Sequence, residues 1–445
     1  MKKLEAAPEW TQYIQQAIHK NAFGDAAELI EHINARYLYW DKVKYEKGPA
    51  GISAEELWSL VKLSRSSGAR HIKIGMYRFS YNLTDLIQRG LHGFDLNMGG
   101  SLASGSTIPD EDKKRYLVSS VMEEAIASSQ IEGAVTTRQQ AKEILRKNIR
   151  PRTKSEQMIV NNYETIKRIA AIKDKPLTED LLLEIHRLMT RDTLDDSQDE
   201  GRYRTSDEVK VVDAENNEIV HVPPSYTELP ELMQDLFRFF NENDPERFIH
   251  PIIKGCIIHF LTGYIHPFAD GNGRTARALF YWYLLRNSYW LTEYLSISRL
   301  IVKSKTQYAR AFQYTETDEN DLTYFLHYKL KVMEKAYADL RIYIDRKIQE
   351  KRRLLSLMSI QGVNDRQALI IKWLYEEPEL LFSVKEIETR FNISNQTART
   401  DLLGLVKMGY LKEVDINKKT KGFYRHPGFE ILLAERLKGK QNTLF

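Results

Sequence analysis

The chain has 445 residues, enough for two or three domains and a sizeable core. Its 65 Lys and Arg against 61 Asp and Glu leave a formal charge of +4, so bulk charge argues neither for nor against a polyanionic partner. One cysteine, Cys256, excludes a disulfide framework and predicts a reducing compartment; the absence of an apolar signal-peptide core or a membrane-length apolar run predicts a soluble, cytoplasmic protein with no membrane partner.

Residues 1–105 predict a helical N-terminal region. Trp10–Ile18, Asp25–Tyr39 and Ala54–Arg65 carry apolar residues at three- and four-residue spacing, and Ser53 is placed to cap the last. Tyr37, Tyr39 and Trp40 read as core. Leu96–Gly105 (LNMGGSLASG) is small and Gly-rich, a linker by composition. From Asp110 to Glu132 the helical pattern returns, with Leu117, Val121, Met122, Ala125 and Ile126 as its apolar stripe and Gly133 closing it. Thr136 and Thr137, three residues ahead of Gln139 and Gln140, predict the cap of the next helix. Glu132 thus falls at a helix C-terminus, where the macrodipole disfavours a carboxylate. It is either an exposed, frayed acid or the partner of a cation from elsewhere.

Leu177–Arg191 reads as a helix capped by Thr178. The period then changes. Glu208–Asp213 and Ile219–Val222 alternate or run β-branched around a turn at Glu215–Glu218, and Pro223-Pro224 ends this hairpin. Glu228–Asn241 is an amphipathic helix, and Pro251–Ile265 an apolar helical run closed by Pro267.

The next stretch, His266-Pro-Phe-Ala-Asp-Gly-Asn-Gly-Arg-Thr-Ala-Arg277, carries the chemistry. Gly271-Asn272-Gly273 stands before a helix expected over Arg274–Arg286. Glycines let backbone N–H groups converge, and a helix start offers unpaired donors with a positive partial charge, so this is a cradle for phosphate. Arg274 and Arg277 fall on one helical face and can both reach a polyphosphate. Asp270 is one carboxylate for Mg²⁺ whose other ligands are phosphate and water. His266 is the obvious base for an attacking hydroxyl. A turn, a lone histidine or two helix arginines would each be structural on their own; the tight order is what makes them specific.

Downstream, Lys305–Tyr314 and the charged stretch Leu322–Met358 read as helices. Asp365–Tyr375, Ser383–Phe391 and Ser394–Met408 are three more, with Ser383 and Ser394 as caps, followed by short strands at Tyr410–Val414 and Gly422–Arg425. Three helices and a basic hairpin resemble a winged helix. Asn395, Gln396, Thr397 and Arg399 could read base edges and Lys418, Lys419 and Lys421 could meet phosphate, whereas Glu376, Glu377, Glu379, Glu386 and Glu388 oppose a nucleic acid.

HPFADGNGRTAR resembles the signature of the Fic family, HPFx(D/E)GNGRxxR, with no fixed position missing. Ser128-Ser-Gln-Ile-Glu132-Gly133 is similar to the family's inhibitory-helix motif (S/T)xxxE(G/N), and Gly201-Arg-Tyr-Arg204 to the G-x-(Y/W)-R that starts its flap. The resemblance implies a mainly α fold: a Fic-type core with a β-hairpin flap, the helical N-terminal region and the C-terminal winged helix. The expected boundaries are 1–105, 106–335 with the inhibitory helix at about 110–133 and flap at about 208–222, a connector at 336–364, and the winged-helix-like domain at 365–430.

It further implies an autoinhibited protein adenylyltransferase, with ATP as substrate and Mg²⁺ as cofactor. Gly271, Asn272, Gly273, Arg274, Thr275, Ala276 and Arg277 would hold the ATP phosphates, Asp270 the metal, and His266 would deprotonate a Ser, Thr or Tyr hydroxyl of a target protein. Glu132, with Ser128, would occupy Arg277; Phe268 would fix the loop from the core. Val209, Lys210, Val211 and Val212 would form the flap side of the pocket, with Tyr308 near the adenine; Thr315 stands where some relatives carry asparagine. Two other readings stay open: a de-adenylylase using Glu132, and a nucleotide-sensing regulator that binds DNA, or protein, through the winged helix. A second copy of the chain also stays open as a partner.

Overall fold

A capping box opens the best-defined helix of the N-terminal region. In the computed structural model, which describes residues 4–20, 22–98, 110–212, 218–358, 360–417 and 420–438, Ser53 Oγ accepts the Glu56 N–H while the Glu56 carboxylate accepts the Ser53 N–H. The chain forms two compact units, Met1–Leu340 and Arg341–Phe445.

The first unit begins with α1 (Thr11–His19), α2 (Ala22–Asp25), α3 (Ala27–Arg36), α4 (Trp40–Val43) and α5 (Ala54–Ser67). Ile30, Ile33, Tyr37, Tyr39, Trp40 and Trp58 share one core cluster with Tyr324, from far along the chain. Polar groups bind the same regions together: Lys62 Nζ lies 2.8 Å from Asp318 Oδ1, and Arg65 donates to the Tyr324 hydroxyl at 2.7 Å. Residues 4–20 and 22–98 therefore pack as part of the unit that holds the central helices.

A short hairpin that the sequence did not announce interrupts the helices of the N-terminal region. Strands β1 (Arg70–Ile74) and β2 (Tyr77–Tyr81) pair antiparallel there, with Ile72 and Ile74 opposite Phe79 and Tyr77. Ile72, Ile74, Phe79 and Tyr81 are buried at period two, a pattern that Arg70, His71, Lys73 and Arg78 dilute in the sequence. The start of the expected linker is helical too: Leu96–Met98 is the last turn of α6 (Asp85–Met98), with Met98 buried, and 99–105 lie outside the described residues.

Next come α7 (Asp110–Ile131), α8 (Arg138–Lys147), α9 (Lys154–Ile172) and α10 (Glu179–Thr190). Gly133 follows α7 at φ +92°, a conformation that favours glycine. Thr137 alone caps α8; Gln140 donates its side chain to Glu156 and closes no capping box. The hairpin is shorter than expected. β3 (Val211–Val212) and β4 (Ile219–His221) pair antiparallel with a register shift, and 213–217, which include most of the expected turn, lie outside the described residues.

α11 (Leu229–Asn241), α12 (Pro251–Ile265) and α13 (Asn272–Arg286) follow, with nearly every residue of α12 and α13 buried. Cys256 sits within α12, where burial pushes its thiol up to about 12. The unit continues through α14 (Ile297–Lys303), α15 (Lys305–Thr317) and α16 (Thr323–Met358), whose residues from Arg341 count with the second unit. No helix among the described residues is long and apolar enough to cross a membrane.

The second unit adds α17 (Asp365–Glu376), β5 (Leu381–Ser383), α18 (Val384–Phe391), α19 (Asn395–Lys407), β6 (Leu411–Asn417), β7 (Thr420–Arg425) and α20 (Phe429–Lys438). Its sheet is antiparallel in the order β5-β7-β6 and covers a core that includes Ile371, Leu374, Phe382, Leu402 and Phe423. Lys418 and Lys419 lie outside the described residues, Lys421 is paired with Glu413 across the strands, and Asn395 donates to Glu388 at 2.8 Å.

Candidate active site

The connection between α12 and α13 is held from inside. α12 ends on His266 at φ +50°, a left-handed conformation that costs a non-glycine residue energy and needs its surroundings to impose it. Phe268, fully buried, anchors the turn by stacking on His186 of α10, ring centroids 3.7 Å apart and 7° from parallel. Asn272 closes it: its side chain accepts from Phe268 N at 2.9 Å and donates to Phe268 O at 2.8 Å. Gly271 lies at φ +83°, and a Cβ there would come within 2.9 Å of Thr190 Cγ2, so conformation and space both demand glycine.

The helix α13 starts at Asn272, two residues before the expected Arg274. Asn272 and Gly273 therefore belong to its first turn. No side chain caps this terminus through Gly271, which leaves its early N–H groups to other acceptors. A carboxylate is there. A Cβ built on Gly273 would overlap Glu132 Oε1, so the Glu132 carboxylate lies directly on the first turn of α13.

Two residues that frame the loop carried no assigned role in the sequence reading. His186 accepts the Gly201 N–H on Nδ1 at 3.0 Å, and its Nε2 faces the Asp270 carbonyl at 2.9 Å. An N–H donor on one side and an oxygen on the other define a neutral ring protonated on Nε2. Burial agrees, lowering its pKa to about 4. Arg204, also buried, donates from Nε to His266 O at 2.9 Å, from Nη1 to Ser206 O and Asp207 Oδ1 at 3.0 Å each, and from Nη2 to Pro224 O. One guanidinium thus joins the loop to both ends of the hairpin. The GRYR string was a signal for Arg204; His186, a lone histidine on an amphipathic helix, offered none.

His266 has a defined polarity. Its Nδ1 lies 3.1 Å from the Gly263 carbonyl, which can only accept, so the neutral ring carries its proton there and turns a lone pair outward on Nε2. Burial, the largest cause, holds its pKa down at about 4. The ring is neutral at pH 7 and can take a proton from a hydroxyl placed against Nε2.

Arg277 is buried and points at the end of α7. Its Nε donates to Ser128 Oγ at 2.8 Å, and its Nη2 to Ser128 O and Glu132 Oε1 at 2.9 Å each. Its Nη1 has no hydrogen-bond partner among the described residues. Arg274 is likewise buried, donating to Met189 O at 3.2 Å and lying 3.6 Å from Asp270 Oδ2, with Nε unpartnered among the described residues. Two buried guanidiniums with spare donors beside a helix start favour an anion. Asp270 has 57% of its side chain exposed and accepts from Gly271 N, leaving oxygen for a cation. Among the described residues no group of three or more His, Cys, Asp or Glu could hold a metal, so Asp270 would be one protein ligand among others of different origin.

Other expected residues lie farther from free chemistry. Thr275 bonds Gly271 O through its N–H and faces Met189 with its hydroxyl, and Ala276 is buried; both shape the helix and offer no free donor. The Tyr308 hydroxyl lies 2.8 Å from His259 Nε2, and its half-buried ring packs against Phe312 and Tyr328. Thr315 is buried with its hydroxyl on Ala311 O. Val209 and Lys210 precede β3, which Val211 and Val212 form. On the other strand His221 faces Glu316 Oε2 with Nδ1 at 2.8 Å and the Tyr264 carbonyl with Nε2 at 2.7 Å. Acceptors on both sides favour the imidazolium, and although desolvation opposes it, the net shift raises its pKa.

The Fic/DOC family model matches residues 176–284. The chain is 38% identical over 114 residues to "Protein adenylyltransferase Fic" of Nematostella vectensis, across 26% of this chain and 24% of that protein. It is 39% identical over 69 residues to the protein of the same name from Drosophila melanogaster, across 16% and 14%. The chain therefore spans no more than about a quarter of the length of these curated relatives. A Fic family protein from Desulfovibrio desulfuricans superimposes with a TM-score of 0.51 at 21% identity, over 78% of this chain and 98% of that one, a likeness of fold.

Proposed function

The chain carries a Fic/DOC family domain at residues 176–284, and from that premise we propose that the α12–α13 corner transfers AMP from ATP to a hydroxyl of a target protein, and that Glu132 holds it inactive. The observation that carries this is the position of the Glu132 carboxylate, on the first turn of α13 and 2.9 Å from Arg277. A carboxylate there stands where a phosphate would: it lies against the helix start and accepts from a buried guanidinium, and a polyphosphate would use both.

With Glu132 withdrawn, the N–H groups at Gly271–Gly273 would take the α- and β-phosphates, and Arg274 and Arg277 the phosphates beyond. Nε2 of His266 would accept the proton of a Ser, Thr or Tyr hydroxyl as its oxygen bonds to the α-phosphorus. The bond from that phosphorus to the β-bridging oxygen breaks and pyrophosphate leaves. Mg²⁺, for which the exposed oxygen of Asp270 is a fitting hard ligand, would offset charge on the phosphates. The hairpin would present the target, whose backbone can add to a strand edge. The buried Cys256 fits action in the cytoplasm.

The test is transfer of labelled AMP by wild type, Glu132→Gly and Arg277→Ala, to the protein itself or to a lysate. Glu132→Gly should raise transfer by about 10²-fold, because correct placement of the α-phosphorus is worth that much, and Arg277→Ala should lower it, although both break one ion pair. A structural salt bridge would give neither gain nor asymmetry. No transfer by any of the three defeats the reading. If Glu132→Gly gains nothing, removal of AMP with help from Glu132 becomes the better account.

A further inference from the structure

A cavity of about 300 Å³ lies away from the signature loop but shares α13 with it. α7 lines it with Leu117, Val121 and Glu124; α9 contributes Ile166, Ile169 and Ala170; Tyr281 and Leu285 of α13 and the turn Thr292–Leu295 complete it. A water molecule takes about 30 Å³ of liquid, so the space suits an organic molecule of modest size. The lining is chiefly aliphatic, and its charged groups are two acids and one lysine. Glu124 is buried and already accepts from Ser298 N at 2.9 Å and from Ser298 Oγ. Glu293 is half-buried and, among the described residues, has no cation at ion-pair distance; burial raises its pKa, with Lys173 opposing from farther off. The one lining cation, Lys167, is engaged with Glu164 at 3.2 Å. Thr292 is fully buried, and its hydroxyl has no hydrogen-bond partner among the described residues.

We propose that this cavity is a regulatory site for a small primary amine with an apolar body, whose ammonium pairs with Glu293 and whose hydrocarbon fills the aliphatic lining. An acid would meet two carboxylates, and a neutral molecule would leave Glu293 uncompensated. The effect on the signature loop follows from the walls. Glu124 and Glu132 are eight residues apart on or just beyond one helix, about 12 Å along its axis, and α7 and α13 are the elements that the Glu132–Arg277 pair joins. A molecule that needs both walls in place binds only the state with α7 docked, so it favours that state and keeps Glu132 on α13. This last step rests on the inhibitory role proposed for Glu132.

The test uses the full chain and three probes of equal length: hexylamine, hexanol and hexanoate. Ligand-observed NMR should show hexylamine binding at least tenfold more tightly than hexanol, with hexanoate weakest. Glu293→Gln, which keeps the shape, should abolish the preference for the amine, and Ala170→Phe, which fills the space, should remove binding of amine and alcohol alike. No hexylamine binding by wild type, or equal binding by Ala170→Phe, overturns the site. In the transfer assay hexylamine should slow wild type severalfold and leave Glu132→Gly unaffected; equal slowing of both overturns the coupling. If neither protein transfers AMP, the proposed function fails while the NMR comparison still judges the cavity.

Discussion

The signature loop and the hairpin meet at Arg204 and are built to opposite specifications. In the loop, His186, Phe268, Gly271, Asn272 and Arg204 fix almost every backbone turn through buried contacts. The hairpin has strands of two and three residues, and Val212, Ile219 and Val222 expose 51%, 54% and 63% of their surface. Among the described residues, Arg204 and His221 tie down its base. Donors for a charged, invariant ligand gain from being fixed in advance, since no reorganisation is then needed in the transition state. A surface that meets a polypeptide can rely on its own backbone and leave its side chains free.

Attacking the loop should therefore cost more than attacking the hairpin. His266→Ala should lower AMP transfer by about 10²–10⁴-fold, the usual range for a positioned acid–base group, with ATP affinity nearly unchanged by titration calorimetry. Transfer at near wild-type rate would remove His266 from the mechanism. His186→Ala should come next. It frees the Asp270–Gly271 turn from Gly201 and unstacks Phe268, so transfer should fall by roughly 10²-fold, with a lower Tm as well; an unchanged kcat would show that the loop holds its shape without it. Val211→Pro removes a strand donor and should reduce transfer to a protein target about tenfold, leaving ATP binding alone. Equal loss of both would make the hairpin a wall of the nucleotide pocket.

The smallest effect separates the two regions by pH. His186 and His266 have folded pKa values of about 4, against about 6.5 when unfolded. Between those values the unfolded chain binds more protons, so their contribution to stability, full above about pH 6.5, is lost as pH falls towards 4. His221 runs the other way: its folded pKa is raised, so its contribution is full below the unfolded value and lost as pH rises through the folded one. Acid should loosen the loop and lower Tm. Alkali should speed amide exchange at Ile219–His221, after correction for intrinsic rates, and Glu316→Gln should flatten that response. Exchange that ignores pH and Glu316 would separate His221 from the hairpin's anchorage.

The two regions also differed in how far they could be read from the sequence. The loop was legible because its chemistry is contiguous: glycines, arginines, an acid and a histidine within twelve residues. Even so, α13 begins early, since Asn272 spends its side chain on Phe268 and not on a ligand. Glu132 was legible through the resemblance of Ser128–Gly133 to a family motif, since an acid at a helix C-terminus alone left a frayed carboxylate open, and the structure puts a cation 2.9 Å away. His186 was not, because its partners are backbone groups fifteen and eighty-four residues distant. β1 and β2 escaped because basic side chains fill the alternate positions of a strand whose other face is buried. Lys421 looked free for phosphate because pairing with Glu413 depends on strand register, which composition does not reveal.

The lone thiol has a practical consequence. Cys256 is sealed inside α12 with its pKa pushed up to about 12, and reagents that alkylate cysteine react with the exposed thiolate. The native chain should stay unmodified by maleimides while folded. A cysteine introduced at Val222, on the exposed hairpin, would then be the only site to take a fluorophore or spin label, with no background to remove. Such a label would report directly on the hairpin when a target protein is added.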